Sequence, residues 1–210
     1  MSSVRLLLAT RNQEKLAELC RILVSSELSG VQVFGLQGVP PFPEKPETAA
    51  TFEANALAKA RDAAAATGLA TVADDSGLEV DALGGMPGVL SARWAGRHGD
   101  DAANLQLVLD QLADVPDDRR GAAFVCAAAL VVPSAGHTVV RGYWRGTVTR
   151  AARGCNGFGY DPIFVPEGGR RTSAELDPAE KDAISHRGQA LRALLPAVRS
   201  WAADQGLGQP

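Results

Sequence analysis

The stretch Ala70–Gly88, ATVADDSGLEVDALGGMPG, decides how this chain is read. Ala70, Val72 and Ala73 make a short apolar run, as a buried strand would, and it stops at two adjacent carboxylates, Asp74 and Asp75, followed by Ser76 and Gly77. The spacing predicts a strand that ends at the acidic pair, the place where open α/β sheets collect their ligands. Paired carboxylates suit Mg²⁺, a hard cation usually shared between one or two acids, water and substrate phosphates. Asp-Asp-Ser-Gly is also an ordinary turn composition, so the motif needs support from elsewhere in the chain.

Upstream, Val4–Ala9 reads as a strand, Thr10-Arg11-Asn12-Gln13-Glu14-Lys15 as a polar turn, and Leu16, Leu19, Cys20 and Leu23 as one face of a helix. The NH groups and dipole of such a helix start attract anions, which puts Thr10, Asn12 and Lys15 in reach of phosphate oxygens. A second helix begins at Thr51 and runs to Ala63–Ala66 after a proline-rich linker, Pro40–Pro46. Within it Asn55 and Lys59, four apart, share a face and suit a phosphate chain.

Further on, Gly154–Asp161 (GCNGFGYD) interleaves glycines with Phe158 and Tyr160, a loop able to present aromatic faces for base stacking. Lys181, His186 and Arg187 then form a set rich in donors, matched to carbonyl oxygens on a base edge rather than to amino groups. Asp177-Pro178-Ala179-Glu180 has the form of a capped helix start. Other expected elements are a strand at Val31–Gly35, a helix carrying Leu105, Val108, Leu109 and Leu112, and a hairpin of Phe124–Val132 with His137–Val148. A last helix with Leu191, Leu194, Leu195 and Val198 precedes a frayed tail over Gly206–Pro210.

TRNQEK, TFEANALAKA, ADDSGLEVDALGGMPG, GFGYDPIF and AEKDAISHRGQAL occur in the order and spacing of the inosine triphosphate pyrophosphatase family, also called Ham1- or RdgB-like, and the chain resembles that family over nearly its whole length. The resemblance implies an α/β fold, an elongated mixed sheet flanked by helices, with two lobes and the nucleotide in the cleft between them. It implies Mg²⁺-dependent hydrolysis of non-standard purine nucleoside triphosphates (ITP, dITP, XTP) to monophosphate and pyrophosphate, which cleanses the nucleotide pool. Asp75 matches the family's general base and a metal ligand; Asp74 and Glu47 would assist the metal, Glu47 fitting the spacing better than Glu44. Substrate contacts carried over are Thr10, Arg11, Asn12, Gln13, Glu14, Lys15, Asn55, Lys59, Ser76, Phe158, Gly159, Tyr160, Asp161, Lys181, His186 and Arg187. Phe158 would stack on the base, and Lys181, His186 and Arg187 would read its edge. A homodimer is also implied. Arg11 departs from the usual Thr-Gly-Asn turn, which leaves the geometry of the first loop open.

Composition bounds the same reading. The 210 residues are expected to form one domain; 46% are hydrophobic and 21% charged, and no apolar run is long enough to span a membrane. No secretory leader pattern is visible, so a cytoplasmic protein is expected. A net charge of -3 argues against a nucleic-acid polymer as partner. Cys20, Cys126 and Cys155 form neither a CxxC pair nor an even framework, against zinc and structural disulfides. No GxxxxGK[ST] loop is present, which removes the P-loop NTPases.

Overall fold

The computed structural model describes residues 3–25 and 30–206, so most of the expected tail, 207–210, lies outside the described residues. Six strands form one mixed sheet: β1 (Val4–Leu8), β2 (Val31–Gly35), β3 (Ala70–Val80), β4 (Gly121–Val132), β5 (Gly136–Val148) and β6 (Phe164–Pro166), in the order β2-β1-β3-β4-β5-β6. β1 runs parallel to β2, with Val4 opposite Val31, and parallel to β3, with Leu6 opposite Ala70; β5 and β6 are antiparallel. The helices are α1 (Gln13–Ser25), α2 (Phe52–Thr67), α3 (Asp101–Gln111), α4 (Pro178–Ile184) and α5 (His186–Asp204). No helix among the described residues is long and apolar enough to cross a membrane.

The chain divides into two compact units. The first comprises Met1–Asp75, Cys126–Gly142 and Arg187–Pro210, and the second Ser76–Val125 and Tyr143–His186. Each has a core. In the first, Leu6 and Leu8 of β1, Leu19, Ile22 and Leu23 of α1, and Leu191, Leu194 and Val198 of α5 bury their side chains together. In the second, Leu78, Val80, Val108 and Leu112 pack with Phe124, Trp144, Ile163 and Phe164. The rings of Phe124 and Phe164 meet edge to face at 4.7 Å. β4 is buried without interruption from Ala122 to Leu130, as expected of an interior strand covered on both faces, and its alanines allow close approach.

Local signals set the helix ends. The Thr51 hydroxyl accepts from the Ala54 amide at the start of α2, and Gly68 closes it in the left-handed conformation at φ 69°. Asp177 and Glu180 form a reciprocal capping box at α4, with Pro178 in its first turn.

One expectation about the fold fails in an informative way. β3 does not end at the acidic pair: it continues through Asp74, Asp75, Ser76 and Gly77 to Val80. An acid in a buried strand is tolerable when it is paired, and both aspartates are paired here. Gly77 is needed for a different reason. Ser91 donates from its hydroxyl to the Gly88 carbonyl at 2.6 Å and accepts from the Leu78 amide at 2.9 Å. A Cβ at position 77 would collide with the Ser91 hydroxyl and with the Gly88 carbonyl oxygen, which belongs to the backbone. Gly77→Ala is therefore expected to lower the unfolding free energy by about 1–3 kcal/mol, read from the urea midpoint at unchanged m-value.

Candidate functional site

In the first unit, the β1–α1 turn builds itself from its own polar side chains. The Thr10 hydroxyl accepts from the Asn12 amide at 3.2 Å, and the Asn12 side-chain oxygen accepts from the amides of Glu14 (2.9 Å) and Lys15 (3.0 Å). Asn12 thus caps α1, whose exposed first turn also carries Gln13 and Glu14. Arg11 points away from this arrangement into an exposed ion pair, its Nε 2.6 Å from Glu44. That contact separates the two candidate acids of the linker: Glu44 is held by Arg11, whereas Glu47 lies 2.9 Å from the Lys59 ammonium.

Lys15 and Lys59 converge on the acidic pair. Lys15 Nζ lies 3.1 Å from Asp74 Oδ2; Lys59 donates to the Asp74 carbonyl oxygen and lies 3.8 Å from Asp75 Oδ1. Asn55, one helical turn before Lys59 and buried, donates to Asp75 Oδ2 at 3.0 Å and accepts from the Ala49 amide at 2.9 Å. A mid-helix asparagine thereby finds its reason. Oδ1 of Asp74 is buried and accepts no hydrogen bond among the described residues.

The two aspartates titrate in opposite directions. Burial alone would push the Asp74 carboxyl up, but Lys15, Arg187 and Lys59 outweigh it and hold the group well below the usual carboxylate range. For Asp75 burial wins, reinforced by Glu47, over the opposing pull of Lys59 and Lys15, and its value is raised. The same carboxylates raise Lys59 against its own burial, and Lys59 and Lys15 lower Glu47 against its burial.

Arg187 differs from expectation. It is 2% exposed, and its guanidinium donates to Glu18 of α1 and, through Nε at 3.3 Å, to Asp74 Oδ2. Burial would lower it; Glu18 and Asp74 together raise it above its ordinary value. The group assigned to the edge of a base is thus engaged with two buried carboxylates, because a desolvated guanidinium must be charge-matched. Cys126 completes this corner with its sulfur 4.0 Å from Asp74 Oδ2; burial and Asp74 push the thiol up to about 12, so it stays protonated. Glu18 and Cys126 were missed in the sequence. Glu18 follows Lys15 by three residues on an otherwise apolar helical face, the one signal that marks it.

In the second unit, the Gly154–Asp161 loop is tied down at several points. Asp161 accepts from the Phe158 amide (2.9 Å), the Ser173 hydroxyl (2.8 Å) and the Lys181 ammonium (2.6 Å). The Tyr160 hydroxyl donates to the Ser91 carbonyl at 2.8 Å, and the Gly159 amide donates to Asp101 at 2.8 Å. Gly157 adopts φ +72°, and a Cβ there would meet the Asp161 carboxylate and the Lys181 ammonium. The Lys181 ammonium stands 5.2 Å over the half-buried Phe158 ring. His186 stacks on Phe124 at 4.8 Å and 9°. Ser76 follows Asp75 in β3 and is partly buried. Asp161 and Tyr160 therefore act as braces within the loop, a role that the alternation of glycine and aromatic residues did not reveal. Asp101, Ser91 and Ser173, remote in sequence, were not anticipated.

The Ham1 family description matches residues 6–197. The chain belongs to the Ham1 family. Among its Ham1 relatives, a dITP/XTP pyrophosphatase of Mycobacterium bovis is 68% identical over 198 residues, covering 94% of this chain and 97% of that protein. One of the same description from Nocardia farcinica is 66% identical over 202 residues, with 96% and 98% covered. A solved Ham1 protein from Coxiella burnetii superimposes with a TM-score of 0.82 at 43% identity, covering 94% of this chain and 99% of that one.

The pairing of Arg187 carries a stability consequence. Arg187→Met removes the guanidinium and leaves Glu18 and Asp74 buried with less countercharge. A loss of about 3–5 kcal/mol in unfolding free energy is expected from chemical denaturation. Glu18→Gln together with Arg187→Met is expected to recover part of that loss, because one buried charge goes with its partner.

Proposed function

We propose that this Ham1 protein hydrolyses dITP, ITP and XTP, purine nucleoside triphosphates that carry a 6-oxo group, to the monophosphate and pyrophosphate with Mg²⁺, and so keeps them out of nucleic acid. The observation that carries the reading is the acidic pair on β3 with its split titration. One carboxyl is kept ionised by three cations, and its neighbour holds a proton more readily than an ordinary carboxylate because it is buried beside Glu47. Close relatives described as dITP/XTP pyrophosphatases support the substrate class.

The donor chemistry fits a hard divalent cation. Glu47, Asp74 and Asp75 are carboxylates of one unit that would offer oxygen donors, and the buried Oδ1 of Asp74 lacks a hydrogen-bond donor among the described residues. Asp75 and Glu47, with Asp74, would hold Mg²⁺, which when bound neutralises phosphate charge. Asp75 orients the attacking water and takes its proton. Lys15 and Lys59 balance the negative charge of the triphosphate, and the amides at the start of α1, shaped by Thr10 and Asn12, donate to phosphate oxygens. Phosphoryl transfer leaves the protein mainly this electrostatic and positioning work.

Base choice rests on Phe158 as a stacking face and Lys181 as a donor whose ammonium Asp161 fixes at 2.6 Å. A 6-oxo group accepts from such a donor; a 6-amino group leaves it unpaired. The protein is expected to work as a cytoplasmic homodimer, as two-fold assemblies predominate.

Pyrophosphate release from dITP in the presence of Mg²⁺ tests the activity directly. Asp75→Asn is expected to keep the fold, since the amide is isosteric, while kcat falls by about 10²–10⁴; retention of more than roughly a tenth of kcat would remove Asp75 from the base role. Lys181→Met is expected to lower kcat/KM for dITP more than for dATP and so narrow their ratio. Equal losses for the two nucleotides would make Lys181 a loop brace alone.

A further inference from the structure

The geometry points to Asn55 as a positioning residue for Asp75, one side chain that sets the orientation of the base and the course of the segment carrying Glu47. This rests on the proposed hydrolase reading and replaces the phosphate contact that the i, i+4 spacing of Asn55 and Lys59 suggests.

The amide of Asn55 has a defined orientation because one of its partners is a donor only. The backbone N–H of Ala49 lies 2.9 Å from Oδ1, so the oxygen faces Ala49 and the nitrogen faces Asp75 Oδ2 at 3.0 Å. The second amide proton is directed at the Ala49 carbonyl, 3.5 Å away. Both donors are therefore turned inward, and the side chain is 3% exposed. A phosphate oxygen would have to displace one of these bonds inside a buried environment. Lys59, on the same face of α2, is more exposed, and its ammonium reaches Glu47 and Asp75.

The consequence concerns Asp75 itself. With Oδ2 committed to Asn55 and Oδ1 facing Lys59 across 3.8 Å, the plane of the carboxylate is set from two sides. A carboxylate that must accept a proton from one water along one direction gains from such restraint, and a misplacement of about 1 Å in a catalytic group can cost about 10²-fold in rate. Ala49 sits two residues beyond Glu47, in a stretch with no regular secondary structure, so the same amide also restrains the backbone that presents Glu47.

The test is a double-mutant cycle read as kcat and KM separately, with dITP and Mg²⁺, on full-length protein. Asn55→Ala is expected to lower kcat about 10- to 100-fold with KM changed less than about threefold. In the Asp75→Asn background, where the base is already lost, Asn55→Ala is expected to change the residual kcat by less than about twofold. A tenfold rise in KM at unchanged kcat, or the same fold-loss in both backgrounds, would overturn the assignment and return Asn55 to substrate binding. Should circular dichroism show Asn55→Ala unfolded, Asn55→Asp is measured instead, since it keeps the acceptor for Ala49 and loses the donor to Asp75. A fall in its kcat then supports the assignment, and wild-type kcat overturns it. Absence of pyrophosphate release by the wild-type protein would instead remove the hydrolase reading, an outcome separable from any effect at Asn55.

Discussion

Two carboxylates in consecutive positions of a buried strand are the constraint on which much of the first unit depends. Both Asp74 and Asp75 are buried, so each needs positive charge or hydrogen bonding from the elements around the strand. α1 supplies Lys15, α2 supplies Asn55 and Lys59, and α5 supplies Arg187, which in turn requires Glu18 from α1. Three helices are thereby tied to one strand by groups whose burial would otherwise be costly. Removal of any single cation leaves an acid desolvated, which is more expensive than never having buried the pair.

The opposite shifts of the two aspartates follow from that division. Asp74 collects Lys15, Arg187 and Lys59, enough to reverse the effect of its burial; Asp75 keeps Lys59 but also feels Glu47, so burial prevails. Adjacent residues of one type can do different chemistry for this reason. The acid kept ionised suits charge balance and cation holding, and the raised one suits proton transfer. Glu47 belongs to both accounts, since it lowers the net positive field at Asp75 and, under the proposed reading, would offer a further oxygen ligand.

Much of the architecture was legible because its signals are local. The apolar run Leu6-Leu7-Leu8, the capping residues Thr51 and Asp177, and the leucine spacing of α3 and α5 each specify an element within a few residues. The α/β class followed from their order, and the mixed sheet from the resemblance to the Ham1 family. What escaped was non-local. The strand through Asp74-Asp75-Ser76-Gly77 reads as a turn from composition, and only the cations of α1, α2 and α5 make it acceptable inside a sheet. The makeup of the two units was less legible, because each is assembled from separate stretches of chain and no linker marks the crossings at Asp75–Ser76, Val125–Cys126, Gly142–Tyr143 and His186–Arg187. Among the candidate site residues, Lys15, Lys59, Asp74 and Asp75 come together as their chemistry suggested. Arg187 does not follow its sequence neighbours, since the donor-rich composition around it said nothing of Glu18.

The shifts at the acidic pair also fix how stability and pH are coupled there. Asp74 has a folded value below its unfolded one of about 3.9, so the folded state binds its proton less readily. Its contribution is fully present above that unfolded value and is lost as pH falls toward the depressed folded value. Asp75 works with the opposite sign. Its folded value is raised, so the protonated form is favoured in the fold, and the penalty for ionising it grows as pH rises from the unfolded value through the folded one. At neutral pH the fold therefore carries a cost at Asp75 and a gain at Asp74. A protein selected for stability alone would remove that cost by placing an apolar residue at position 75. Under the proposed reading that cost belongs to a base, a group whose proton affinity is raised by the same burial that makes it expensive.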